Sequence, residues 1–439
     1  MHKRAYAAAA FTGVAALLMS ACGGSTPSPG STGAASAASS TTTAAAPVSP
    51  TTTGAPKRDA NVDLVIWTDA DRAAAVQKYA NAFGAENGVT VAVQIATDVR
   101  AQFKDATKVG QGPDVIVGAH DWLGELVQNA TVAPINLSAD AIAKFAPNAV
   151  AATKFNGQTY GVPYAVENIA LLRNTALAPD APTTMDDLVA KGTAIKAASG
   201  GKVTNVLIQQ VGKTGNAYYT YPYLAAFGGG IFATKPNGDY DPANLIVNSA
   251  GSLQGAAELS KLGKEKVLST NVGDDNAEGL FDAGKAPFFF TGPWALSNAK
   301  KANIKYAISN LPTLAGGGAM QPFLGVQMFY VSAKAKNGPI AQEFVTNYVT
   351  REDVQTALYE ATGRPPALTA AYNAAAAKDP DVKAFFEAGK GGKPMPNIPA
   401  MNSVWGPLGQ AAADVISGQD PTARFNAAAT EIKANIAKG

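Results

Sequence analysis

The chain has 439 residues, a formal net charge of +2 at neutral pH and only 15% charged residues. No basic stripe runs along it, which speaks against a nucleic-acid partner. One cysteine and two histidines allow no intramolecular disulfide and no thiolate- or histidine-based metal site, so no metal and no cofactor are expected.

His2, Lys3 and Arg4 make a basic start, residues 5–19 are apolar, and Ser20 and Ala21 lead into Cys22. That is the layout of a secretory signal peptide, which is removed from the mature protein. The apolar run is too short to cross a hydrocarbon core about 30 Å thick with ease. The junction resembles the bacterial lipobox, with Met19 in place of its usual leucine, and implies lipidation of Cys22. Residues 23–57 are nearly all Ser, Thr, Ala, Gly and Pro. They have too little apolar surface to offset their ordering entropy and read as a disordered tether. About 380 residues remain, which is long for one simple core and predicts two lobes. No later apolar run approaches ~20 residues, so the mature domain is expected to be soluble.

Along the mature chain, residues 62–67 (VDLVIW) predict a strand, 72–86 a helix stopped by Gly88, and 89–95 a second strand. A helix over 101–109 and a Gly112-Pro113 turn lead to a strand at 114–117. This alternation predicts an α/β fold with a parallel sheet and helices on both faces, with ligand beyond the carboxyl ends of the strands. Residues 163–167 and 169–173 read as extended segments that carry the chain into a second lobe, where 285–294 and 304–308 supply further strands. The C-terminal third is helical by pattern, interrupted by the proline-rich segment 393–399.

Motifs for catalysis or nucleotide binding fail. Gly212-Lys213-Thr214 has Leu207 where a phosphate loop needs glycine, and Gly228–Ala233 lacks the strand and helix of a dinucleotide fingerprint. No G-x-S-x-G elbow occurs. The strand-end charges read differently. Asp71, Arg72, Asp121 and Glu167 follow β-like runs, where charge is costly to bury without partners. Sugar hydroxyls are such partners, since each donates once and accepts twice, and carboxylates and arginine make the charge-assisted bonds. Tyr218, Tyr221, Trp294 and Trp405 supply flat faces for the C–H side of a pyranose.

These residues lie in segments that resemble the bacterial maltose/maltodextrin-binding proteins, the family 1 extracellular solute-binding proteins of ABC sugar importers. The resemblance runs through VIWTDADRA (65–73), GPDVIVGAHDWLGE (112–125), KFNGQTYGVPYAVENIALLRN (154–174), AEGLFDAGKAPFFFTGPWALSN (277–298), LPTLAGG (311–317) and MPNIPAMNSVW (395–405). It implies a two-lobed, type II-like periplasmic-binding-protein fold that closes about a hinge. The lobes would comprise 58–165 with 329–374 and 166–328 with 375–439, crossing near 166–168, 325–328 and 375–380. By motif, Asp71 and Arg72 resemble the family's first-lobe polar pair, with Arg72 near the cleft rim. Asp121 resembles a second hydroxyl acceptor and Glu167 one from across the cleft. Tyr218, Trp294 and Trp405 resemble the aromatic platforms, with Tyr221 beside them.

Four positions depart from the family pattern. Gly118 and Trp122 stand where tryptophan and arginine flank Ala119-His120-Asp121, Asn216 replaces a glutamate, and Gly409 replaces an arginine. Trp122 is expected to have taken over a stacking role. The resemblance implies a monomeric, non-catalytic receptor, lipid-anchored at the outer face of the cytoplasmic membrane. It would bind maltose or malto-oligosaccharides and deliver them to the membrane subunits of an ABC permease. Trehalose or another disaccharide is the alternative ligand. A lipid-anchored glycoside hydrolase using Asp71, Asp121 and Glu167, or a lipoprotein that only scaffolds partners, stands further off.

Overall fold

A computed structural model describes residues 54–236 and 239–438. The expected signal, Cys22 and the tether up to residue 53 lie outside the described residues. The first strand, β1 (Leu64–Thr68), is buried along its whole length. It pairs in parallel with β2 (Val91–Ile95) on one side and β3 (Val115–Ala119) on the other. Its alternate residues serve two cores. Leu64 and Ile66 pack with Phe83, Val117 and Phe329, whereas Val65 and Trp67 pack with Phe103, Ile116 and Tyr330. A strand covered on both faces needs an unbroken apolar run, which is what residues 62–67 offered.

Helix α1 (Ala70–Asn87) links β1 to β2, and α2 (Val99–Lys108) links β2 to β3. Both begin two residues earlier than apolar spacing predicts. The carboxylates of Asp69 and Asp98 accept the free backbone N–H groups of Arg72 and Ala101, and a good cap extends a helix beyond its apolar face. Gly88 ends α1 in the left-handed region at φ +67°.

Beyond the three strands read as parallel, the sheet continues with antiparallel pairs. Strands β4 (Gly161–Glu167) and β9 (Phe323–Ser332) pair antiparallel with each other, and β9 also runs antiparallel to β3. A helical crossover is what forces parallel pairing. Strand β9 has none: it comes directly from the second sheet and enters in the opposite sense. The second sheet has the order β8-β5-β7-β6, from β5 (Ala170–Asn174), β6 (Leu207–Ile208), β7 (Phe288–Thr291) and β8 (Tyr306–Ser309). Only β6 and β7 are parallel there. Strand β7 is shorter than the apolar run over 285–294, because Gly292 and Pro293 turn the chain into a short 3₁₀ helix. Leu171, Phe288 and Phe290 face one core and Leu172, Ile208 and Phe289 the other, so this sheet is also sandwiched.

His120, just past the end of β3, ties three segments together. It is fully buried, and the Val326 N–H of β9 donates to its Nδ1 at 3.1 Å. The proton therefore sits on Nε2, which donates to the Met395 carbonyl at 3.1 Å. Burial pushes the imidazole below its usual 6.5, outweighing the nearby Asp121 and Glu167 carboxylates. The folded state thus resists protonation, and His120's contribution is complete above about pH 6.5 and lost as acid drives its folded form to protonate. In urea unfolding, the stability gap between the parent and His120→Asn should narrow between about pH 7.5 and about pH 5. A gap independent of pH would refute the neutral clamp.

Candidate functional site: an aromatic and polar cavity at the strand ends

A cavity of about 470 Å³ opens where the carboxyl ends of β1, β3 and β7 meet the crossing strands. Asp71 and Arg100 reach it from the first turns of α1 and α2, and Asp121 and Trp122 from the turn after β3. Glu167 ends β4, Gln327 lies within β9, and Arg364 follows a left-handed turn at Gly363, φ +67°. From the side of the second sheet come Asn216, Tyr218 and Tyr219, Trp294, Met395 and Trp405. Seven of the nine ligand-binding positions expected from sequence therefore line one cavity: Asp71, Asp121, Trp122, Glu167, Tyr218, Trp294 and Trp405.

Arg72 and Tyr221 do not line it. Arg72 is 5% exposed rather than at the rim; its guanidinium lies 2.7 Å from Asp69 and donates to Gln327 Oε1 at 3.0 Å. As the third residue of α1 it turns inward over the Tyr164 ring, 5.9 Å from the centroid. Tyr221 sits one turn beyond Tyr218 in α3 (Ala217–Ala225) and stacks on Phe323 with centroids 3.5 Å apart. It is a floor beneath the aromatic wall.

Buried charge at the site is paired. Glu167 accepts from Gln327 Nε2 at 2.7 Å and from Arg364 Nε at 2.6 Å. Arg364 in turn lies over the Trp294 ring, 5.6 Å from its centroid. Arg72, Gln327, Glu167, Arg364 and Trp294 thus form a continuous chain. Across the cavity, Glu125 holds Arg100 Nε and Lys104 Nζ, each at 2.7 Å, and accepts from Asn402. Arg100 lies 3.7 Å from Asp121, whose carboxyl burial pushes above its usual range against the opposing charge of Arg100. Three buried polar atoms of cavity residues have no protein partner: Arg100 Nη2 and the hydroxyls of Tyr218 and Tyr219. Buried polar groups are almost always satisfied, so three unmet donors on one cavity point to a polar ligand.

Arg100, Gln327 and Arg364 escaped the sequence reading. Arg364 is 197 residues from Glu167, and no local pattern announces such a pairing. The departures have structural reasons. Asn216 caps α3, its side-chain oxygen accepting from the Tyr218 N–H at 3.1 Å. Any side chain at Gly409 would meet the backbone at Thr214 and Gly215, since even a Cβ there lies 3.1 Å from the Thr214 carbonyl. The indole of Trp122 lies over Gly118.

A second cavity of about 480 Å³ lies along Val166, Leu324, Pro365, Tyr372 and Phe386. It is mostly apolar and has no comparable set of charged groups.

Residues 78–384 match the model of the bacterial extracellular solute-binding protein family. The chain belongs to this family. A galactooligosaccharide-binding protein of Bacillus subtilis (strain 168) is 29% identical over 386 residues, covering 85% of this chain and 89% of that protein. A maltooligosaccharide ABC transporter solute-binding lipoprotein of Streptococcus pneumoniae (strain ATCC BAA-255 / R6) is 29% identical over 385 residues, with the same coverage of both. A maltotriose-binding protein of Pyrococcus abyssi (strain GE5 / Orsay) is 28% identical over 337 residues, 75% of this chain and 71% of that one. The α/β architecture with two sandwiched sheets is the two-lobed periplasmic-binding fold of such solute-binding proteins. Among the described residues no helix is long and apolar enough to cross a membrane.

The side chains of Arg364 and Glu167 are 10% and 8% exposed. Removing one partner of a buried pair strands the other charge, at a cost of about 3–5 kcal/mol. Glu167→Ala should therefore lower the unfolding free energy of this solute-binding protein by about 3 kcal/mol in urea, and Glu167→Gln by less. Arg72→Ala should cost about 2 kcal/mol of stability through its lost bonds to Asp69 and Gln327. Unchanged urea midpoints would contradict this placement of the pair and of Arg72.

Proposed function

We propose that this protein is the sugar-capturing receptor of an ABC importer, binding maltose or malto-oligosaccharides in the cavity between its lobes and presenting them to a permease. The observation that carries the reading is the convergence of three tryptophans with paired carboxylates and arginines, and of three unmet donors, on one cavity. Flat apolar faces beside charge-assisted hydrogen-bonding groups match the two surfaces of a glucose ring. The named ligands of the pneumococcal and archaeal relatives support α-glucosides.

The cavity continues past Trp294. A further space of about 480 Å³ shares Asp71, Trp294 and Arg364 with it, and another of about 560 Å³ shares Gln210 and Asn216. This extent favours an oligosaccharide over a disaccharide. Glu167 is held by two donors and Asp121 sits against Arg100, which suits fixed hydrogen-bond acceptors better than the acid and base of a hydrolase.

The proposed lobes are 58–165 with 329–374 and 166–328 with 375–439. The separate cores around the two sheets support that division. A ligand touching residues of both lobes binds the closed form preferentially, and closure would be what the permease reads. The retained hypothesis of an anchor through lipidated Cys22 draws on the Ser20-Ala21-Cys22 junction and on the pneumococcal relative described as a lipoprotein.

A second reading, with a galacto-oligosaccharide as ligand, draws on the Bacillus relative and on the rebuilt Gly118–Trp122 wall. Calorimetric titration with maltose, maltotriose, a longer dextrin, trehalose and galactobiose decides. Micromolar affinity for maltotriose, about −8 kcal/mol, is expected without release of glucose. Binding galactobiose alone would favour the second reading, and binding none would sink both. Trp405→Ala should weaken maltotriose binding by about 2 kcal/mol, as truncated central aromatics do. Cys22→Ser should leave the protein unanchored or unprocessed; a membrane-bound, normally processed variant would end the anchor hypothesis.

A further inference from the structure

Two of the three tryptophans on the cavity share a feature that neither sequence nor family resemblance announces. A Cβ placed on Gly118 would overlap the six-membered ring of Trp122, and its three nearest atoms all belong to that ring. A Cβ on Gly292 would overlap the ring of Trp294 in the same way, again with all three nearest atoms from the indole. Both glycines lie at the carboxyl end of a strand: Gly118 in β3, paired with Met328, and Gly292 directly after β7. Neither adopts a positive φ. The backbone at each would accept alanine, and only the ring is in the way. A strand-end glycine here marks the close approach of another group rather than a turn requirement.

We propose that Gly118 and Gly292 are positioning residues: each seats an indole flat against bare backbone at the strand end, which fixes the platform a sugar ring stacks on. The proposal rests on the reading of the cavity as a sugar site. The seats explain the exchange at the β3 end. With glycine at 118, the space next to the strand is filled by a ring arriving from position 122, so the aromatic surface is kept while its tilt is set anew. Trp122 also packs against the core that contains Trp67 and Tyr330, and this holds its other edge. An added methyl at either glycine displaces the ring into the cavity, where it blocks the ligand instead of supporting it.

The test is a pair of mutant cycles on the mature domain. Gly118→Ala should lower maltotriose affinity about ten-fold in the parent through a displaced, off-rotamer indole. It should add nothing in a Trp122→Ala background. Gly292→Ala should behave the same way against Trp294→Ala. Equal affinity of Gly118→Ala and parent, or equal losses in both backgrounds, would overturn the proposal.

A readout without ligand keeps the seat separate from the sugar reading. The chain has four tryptophans, so replacing Trp294 and Trp405 with Phe leaves Trp122 and the fully buried Trp67 as emitters. In that protein Gly118→Ala should raise acrylamide quenching while the urea midpoint stays close to the parent's. Unchanged quenching refutes the seat whatever the sugar results. Altered quenching in a protein that binds no sugar of the panel upholds the seat and refutes the receptor reading instead.

Discussion

The buried carboxylate of Glu167 is the point on which the crossing strands, both walls of the cavity and the aromatic platform at Trp294 all depend. It closes β4, is gripped by Gln327 from β9, and is neutralised by Arg364 from a turn almost 200 residues away. Arg364 then lies over Trp294, so a charge at the strand crossing also places an aromatic face on the other side. A buried ion pair is weak evidence for net stability, because desolvation offsets much of its Coulombic gain. Its effect lies in discrimination: an alternative pairing of β4 with β9 would bury the carboxylate beside an apolar neighbour. The register shift between Gln327 and Met328 occurs where Gln327 must meet both Arg72 and Glu167.

Around this node the molecule divides its tasks between charge and shape. The polar residues are held by one another, Arg100 by Glu125 and Arg72 by Asp69 and Gln327, so their geometry exists before any ligand arrives. The aromatic residues are held by packing: Trp405 meets Phe323 edge-on at 6.3 Å, and Trp122 and Trp294 rest on glycines. Pre-organised donors and rigid faces lower the entropic cost of capturing a flexible ligand. This suits a solute-binding protein.

Much of the fold was legible along the chain. The apolar runs at 62–67, 89–95 and 114–117, the stop at Gly88 and the proline-rich break at 393–399 all correspond to elements or interruptions within a few residues. Local reading shifted helix starts, because the cap carboxylates of Asp69 and Asp98 lie outside the apolar periodicity. The parallel pairing expected of the first three strands holds, whereas the direction of β9, which no helical crossover precedes, had no local signal. Seven of the residues singled out in sequence line one cavity, because strand-end carboxylates and clustered aromatics are local signals. Arg72 was misplaced because two adjacent charges, Asp71 and Arg72, read alike in sequence, while on a helix they point about 100° apart, one to the cavity and one to the interior.

The sequence by itself determined the α/β class, the family and the first strands with the helices that join them. Each of these follows from spacing within a few tens of residues. Only the tertiary structure decided which charges meet the cavity and which brace it. It alone joined Arg364 to Glu167, turned His120 into a clamp between Val326 and Met395, and laid Trp122 over Gly118. The physical reason is the same in each case: hydrogen bonds and ring contacts act over a few ångströms, and these partners are brought within reach only when long chain segments have folded back together.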